Sequence, residues 1–248
     1  MSDLIYFDNA ATTMLKPAGV AEAVVSSITQ FGGVGRGVHP AALRASMAVY
    51  QARSAVADLL GAPSVQSVAF AQNATHALNV AISGLLEPGC VALTTAASHN
   101  SVLRPLFKAR DEHACEVRIV PILPDGSVDE QAFYDMLPGC SVVALTHASN
   151  LTGTVYDVAR MAAAAHEVGA KVIIDAAQTA GSVPLDFAKI GADVLCFTGH
   201  KGLLGPQGTG GLIVAPNIEL PPLMEGGSGT HSYDERHPRF MPEALEAG

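Results

Sequence analysis

The chain has 248 residues and a formal net charge of −9, with only 14 Lys and Arg scattered along it. That length can bury a substantial core, and that charge argues against a nucleic-acid partner, which needs clustered basic residues. No run of about 18 apolar residues occurs, and Met1-Ser2-Asp3-Leu4-Ile5-Tyr6 has neither a basic nor an apolar leader region, so a globular, cytoplasmic protein off the membrane is expected.

After the motif at 8–13, Val20, Val24 and Ile28 recur at helical spacing through 17–31. Glycines break the pattern from Gly32 to Gly37. Their spacing is not the Gly-x-Gly-x-x-Gly of a dinucleotide site, and no strand precedes them, which sets aside a nucleotide-binding oxidoreductase. Leu43, Met47, Tyr50, Val56 and Leu59 then trace a long amphipathic helix from Pro40 that stops at Gly61-Ala62-Pro63. From Val68 onward strands and helices alternate: strands at 68–71, 91–94, 117–122, 142–146, 171–175, 193–197 and 211–215, and helices at 75–86, 102–112, 129–137 and 157–168. Such alternation signals a mostly parallel α/β sheet. Asp157 suits the cap of the alanine-rich helix, and Gly169 its carboxyl end. Cys90 and Cys196 fall in strand-like runs and Cys115 and Cys140 at strand starts. Without a Cys-x-x-Cys pair or a histidine at ligand spacing, all four read as small buried hydrophobes, with no metal site and no disulfide framework.

The chemistry gathers at strand ends. Asp193-Val194-Leu195-Cys196-Phe197 runs into Thr198-Gly199-His200-Lys201, and in open α/β sheets ligands lie beyond the carboxyl ends of the strands, so Lys201 faces a ligand. The surrounding glycines are expected to let the backbone approach that ligand and adopt positive φ. A glycine-flanked lysine alone is more often an ordinary surface residue. Here a second apolar run, Lys171-Val172-Ile173-Ile174, delivers Asp175 to the same sheet edge. A lysine that forms a Schiff base and an acid that pairs with a protonated pyridine nitrogen are what pyridoxal 5'-phosphate requires. Gln72-Asn73-Ala74-Thr75, where a strand enters a helix through small polar residues, offers free N–H groups to its phosphate.

Seven motifs in order complete the pattern: Tyr6-Phe7-Asp8-Asn9-Ala10-Ala11-Thr12-Thr13, Gly35-Arg36-Gly37-Val38-His39, Asn73-Ala74-Thr75, Ser98-His99-Asn100, Ala148-Ser149-Asn150-Leu151-Thr152-Gly153-Thr154, Asp175-Ala176-Ala177-Gln178 and Thr198-Gly199-His200-Lys201. From Ile5 to Gly248 the chain resembles the class V aminotransferases of fold type I, and more narrowly the cysteine desulfurase family. The resemblance implies an α/β large domain at 1–220, a mostly parallel sheet with helices on both faces, followed at 221–248 by an extended active-site loop. It also implies catalytic roles for Lys201, His99 and Asp175. Lys201 carries the cofactor, Asp175 pairs with its pyridine nitrogen and His99 stacks on its ring. Ala74 and Thr75 hold the phosphate, helped by Thr198 and His200; Gln178 bonds the phenolic oxygen; Asn150 contacts that oxygen or the substrate carboxylate. The segment from Arg36 to His39 borders the site. Ser98 departs from the glutamate common before the histidine, and Asn73-Ala74 from a common Gly-Thr, which leaves the backbone donors intact. His39, His76, His147 and His166 read as structural, and His113, His231 and His237 as solvent-facing.

The implied reaction turns an amino-acid substrate, cysteine, into alanine and a protein persulfide, in a homodimer and possibly with a sulfur-acceptor protein. Transaminase or selenocysteine-lyase chemistry is the alternative within the fold, and a truncated, non-catalytic cofactor-binding domain the alternative outside it. Glu246-Ala247-Gly248 resembles the start of the family's Ala-Gly-Thr-Pro-Asn segment. A small carboxyl-terminal domain bearing the nucleophilic cysteine and the carboxylate-binding arginine is therefore expected beyond it, and negligible turnover of cysteine is expected from these 248 residues alone.

Overall fold

The computed structural model describes residues 5–35, 37–229 and 233–247. Arg36, His231 and Gly248 lie outside them, and so do the expectations attached to those residues. Seven strands form one sheet: β1 (Val68–Ala71), β2 (Val91–Thr95), β3 (Glu116–Val120), β4 (Val142–Thr146), β5 (Lys171–Asp175), β6 (Val194–Thr198) and β7 (Gly210–Val214). Their order across it is β1-β7-β6-β5-β4-β2-β3. The pairs β2·β3, β2·β4, β4·β5 and β5·β6 are parallel, and β7 runs antiparallel between β1 and β6. The central strands β4, β5 and β6 are continuous apolar runs because both faces of the sheet are covered.

Two cores flank the sheet. On one face α3 (Ala74–Leu85) and α4 (Asn100–His113) contribute Leu78, Ile82, Val102 and Leu106. Each such side chain, fully buried, adds about 1.5–3 kcal/mol to stability. The other face is covered by the carboxyl end of α2 (Pro40–Leu60), by α5 (Glu130–Met136), by α6 (Val158–Glu167) and by α7 (Phe187–Ile190). In α6 the small residues Ala162 and Ala165 let the helix sit close to β4 and β5, Asp157 accepts from the Arg160 N–H at 3.1 Å, and Gly169 follows at φ 80°. The first helix, α1 (Ala18–Gln30), has no buried residue.

Several expectations shift. The strand expected over 117–122 spans Glu116–Val120, and Ile122 instead makes an isolated antiparallel bridge with Val128 around the Pro124-Asp125-Gly126 turn. Cys90 precedes β2 and is only half-buried, where a buried strand position was expected. His237, expected in solvent, is half-buried: its Nε2 donates to the Ala244 carbonyl at 3.2 Å and its Nδ1 accepts from the Gly226 N–H at 3.4 Å. The described residues beyond 220 form no helix or strand, yet Ala244 and Leu245 belong to the core under α3. Glu246 is clamped by Arg53 through two bonds of 2.6 and 2.9 Å, and Arg53 also donates to the Val68 carbonyl at 2.6 Å.

Candidate active site

From β2 the chain crosses to β3 on one side of the sheet, whereas β4, β5 and β6 follow one another on the other side. The reversal lies between β2 and β4, and a crevice at the carboxyl ends of strands is built where such a reversal occurs. A cavity of about 390 Å³ occupies it, within the range of roughly 300–1,000 Å³ that small ligands fill. All nine residues singled out from the sequence line it: Ala74, Thr75, His99, Asn150, Asp175, Gln178, Thr198, His200 and Lys201.

Local structure explains the gathering. Asn73 caps α3, its side chain accepting from the His76 N–H at 2.8 Å, and Ala74 and Thr75, whose N–H groups at the helix start have no intrahelical acceptor, line the cavity. That arrangement concentrates positive potential at one wall. His99 caps α4: its Nδ1 accepts from the Ser101 N–H at 3.1 Å and lies 2.9 Å from the Ser101 hydroxyl, which in turn lies 26 positions from Thr75 in sequence and 2.8 Å from its hydroxyl in space. A neutral His99 that accepts at Nδ1 carries its proton on Nε2. Asp175 ends β5, and Thr198 ends β6 with its hydroxyl donating to the Thr209 carbonyl at 3.3 Å. Gln178 donates to the Ala10 carbonyl at 3.0 Å.

The 8–13 motif, which the sequence reading left without a role, is laced to the lysine loop. Thr13 donates its N–H to the His200 carbonyl at 3.1 Å, the Thr12 hydroxyl lies 3.0 Å from His200 Nδ1, and Ala10 and Ala11 line the cavity. The loop glycines act differently from expectation. A Cβ on Gly199 would collide with the Thr209 side chain, and one on Gly202 with Ser182 and, at 2.6 Å, the Ala180 carbonyl. Their bareness serves close packing of the loop on the protein; of the loop's glycines only Gly208 has positive φ, at 84°, and the other such residue is Leu204, at 60°.

The electrostatics are unbalanced. Asp175 is 5% exposed and accepts one bond, from the Ala177 N–H at 3.0 Å; burial raises its pKa, against the opposing influence of that bond, His99 and Lys201. Burial lowers the pKa of Lys201, which Asp175 pulls back up, and burial followed by Lys201 and Lys16 lowers that of His200. Thr146, opposite Asp175 in the β4·β5 register, lines the same cavity, and its buried hydroxyl has no partner among the described residues. The sequence reading missed Thr146 because a threonine ending an apolar strand looks like any β-branched strand residue. A buried carboxylate short of donors and a buried hydroxyl without a partner are costly unless a ligand supplies what they lack.

The model of the class-V aminotransferases matches residues 5–248. The chain belongs to the class-V aminotransferase family. Class-V relatives include a probable cysteine desulfurase of Aeropyrum pernix, 40% identical over 92% of this chain and 57% of its own length, and one of Methanothermobacter thermautotrophicus, 36% identical over the same shares. The apo structure of a cysteine desulfurase from Thermococcus onnurineus superposes with a TM-score of 0.93 at 31% identity, covering 100% of this chain and 63% of that one. The fold is that of fold type I. The chain thus spans between 57% and 63% of the length of these three relatives.

Proposed function

We propose that the cavity holds pyridoxal 5'-phosphate and serves a cysteine desulfurase-like reaction, in which cysteine yields alanine and its sulfur passes to a thiol. The observation that carries this reading is the pairing of Lys201 with the under-donated Asp175 at adjacent strand ends. The residues fit the group: Asp175 is a buried anion wanting a cation, the start of α3 presents free N–H groups to a phosphate, and the Thr146 hydroxyl wants a polar partner.

In this reading Lys201 would hold the cofactor covalently through its amine. Its lowered pKa raises the share of neutral, nucleophilic amine near neutral pH. When bound, pyridoxal phosphate supplies an electron sink in conjugation with the amino acid's α-carbon. Asp175 keeps the pyridine nitrogen protonated and so maintains that sink. Ala74 and Thr75 bind the phosphate, with Thr198 and His200 at its flank. His99 would cover the ring, Gln178 and Asn150 would orient the phenolic oxygen and the substrate carboxylate, and Lys201 would move a proton at the substrate's α-carbon.

None of Cys90, Cys115, Cys140 and Cys196 lines the cavity, so the thiol that takes the sulfur is delivered from outside the described residues. The 1–220 segment acts as the cofactor-binding domain and 221–248 as a connecting loop. A homodimer, a sulfur-acceptor protein and a cytoplasmic setting, in keeping with four free thiols, belong to the same proposal; a nucleic-acid or membrane partner does not. No helix among the described residues is long and apolar enough to cross a membrane.

The test is a product assay on the complete gene product, offered cysteine and, separately, ordinary amino acids with an oxo-acid acceptor. Alanine and sulfide from cysteine alone support the proposal. Oxo-acid formation from ordinary amino acids, without sulfide from cysteine, would replace it with transamination.

A further inference from the structure

At the amino ends of β2 and β3, the sheet edge opposite the cavity, the fold sets two cysteines side by side. Val91 lies opposite Glu116 in the parallel register, and the Glu116 N–H donates to the Cys90 carbonyl at 2.8 Å, so the pairing extends one residue back and brings Cys90 beside Cys115. Neighbouring strands run about 4.8 Å apart, inside the roughly 4.4–6.8 Å Cα separation that a disulfide spans. The two Sγ atoms are 3.2 Å apart, Cys90 donating to Cys115, and Cys115 in turn lies 3.3 Å from the Glu87 carbonyl as donor. Both approaches are tied down. Gly89 donates its N–H to the His113 carbonyl at 2.9 Å, and Ala114 closes α4 in the left-handed region at φ 55°. Cys115 is buried and Cys90 half-exposed, so a reagent in solution reaches Cys90 first. No group of three His, Cys, Asp or Glu among the described residues could hold a metal.

We infer that Cys90 and Cys115 form an oxidisable dithiol, a modification site at which a small-molecule disulfide is reduced while the two thiols close into one intramolecular disulfide. Cys90 loses its proton and attacks one sulfur of the reagent R–S–S–R, making a mixed disulfide and expelling RS⁻. Cys115 loses its proton and attacks Cys90 Sγ, breaking the mixed disulfide and expelling the second RS⁻. The two protons finish on two RSH, and the two electrons pass from the cysteine sulfurs to the reagent. The Cys90 thiol, pushed up to about 12 by burial and by the neighbouring Cys115, makes the exchange slow at neutral pH and faster in alkali. The bond would close the crossover from Cys90 to Cys115, which contains β2, His99 and α4.

The experiment uses the full chain, reduced, freed of reductant and treated with one equivalent of dithiodipyridine in mildly alkaline buffer. The expected result is release of two thiopyridones per chain, a mass lower by two hydrogens, and a non-reduced digest containing the Cys90 peptide joined to the Cys115 peptide. Dithiothreitol should reverse all three. Cys90→Ser and Cys115→Ser should each abolish the mass loss, and Cys140→Ser should leave it intact. A chain that stays unreacted, keeps a stable reagent adduct on Cys90, or links these cysteines only to a second chain would overturn the inference.

Discussion

At the residue scale the site turns on Asp175, whose buried carboxylate has, among the described residues, one backbone donor and no cation in direct contact. Burial makes the folded chain hold the Asp175 proton more tightly than the unfolded chain does. The stability associated with that proton is present below the unfolded pKa and lost as pH rises through the raised folded value, so at neutral pH the charged side chain is a cost to the cofactor-free protein. Asp175→Asn should therefore raise the melting temperature of the cofactor-free protein by a few degrees at neutral pH, with the gain vanishing in acid. The same change should weaken pyridoxal phosphate binding by about 100-fold or more, because it leaves a pyridinium without its counter-charge. Calorimetric melts across pH and a cofactor titration read the two effects separately. A variant that loses stability, or that binds cofactor as well as the parent, would remove Asp175 from its proposed place.

At the scale of elements, the Arg53–Glu246 clamp fastens the last described stretch to the edge of the sheet. Arg53 bridges α2 to β1, its guanidinium lies 4.6 Å from the Phe70 ring centroid, and Glu246 also accepts the Phe70 N–H that the edge strand would otherwise leave open. Glu246→Ala removes the partner of a buried cation and uncovers that N–H. A loss of about 2–4 kcal/mol is expected, read as a fall of roughly 5–10 °C in melting temperature. A fall under about 1 °C would show the clamp to be incidental.

The parallel strands were readable because burial on both faces writes continuous apolar runs at 142–146, 171–175 and 193–197, and two helix starts were readable from Gln72-Asn73-Ala74-Thr75 and from Asp157 as polar residues before a periodic stretch, whereas α4, expected from 102, begins at Asn100 under the cap of His99. The direction of β7 was not readable, since an apolar strand looks alike whichever way it runs. Thr146 and the Cys90–Cys115 pair were hidden for a related reason: each depends on what stands beside it across a strand pairing, and the register of distant strands is not written locally.

For the whole molecule, the unburied side of α1 and the outer side of α2 are the notable surfaces. Val25 is 60% and Ile28 77% exposed on α1, and Leu43, Met47 and Tyr50 are likewise open on α2. Contiguous apolar exposure of this kind marks an interaction surface. Together with the Gly32–Gly37 loop it leads us to expect a homodimer burying more than about 1,000 Å² in total. Light scattering at micromolar concentration should give twice the chain mass; a monomer at every accessible concentration would contradict the expectation.

In the proposed function Lys201 is the point of attachment for pyridoxal phosphate in the cavity at the carboxyl ends of β4, β5 and β6. Saturating the purified chain with pyridoxal phosphate, reducing with borohydride and mapping the tryptic peptides tests it most directly. The expected result is a pyridoxyl group on Lys201, present in stoichiometric amount and absent from the more exposed Lys108 and Lys189. Saturated protein with an unmodified Lys201, or with the label spread over surface lysines, would contradict it.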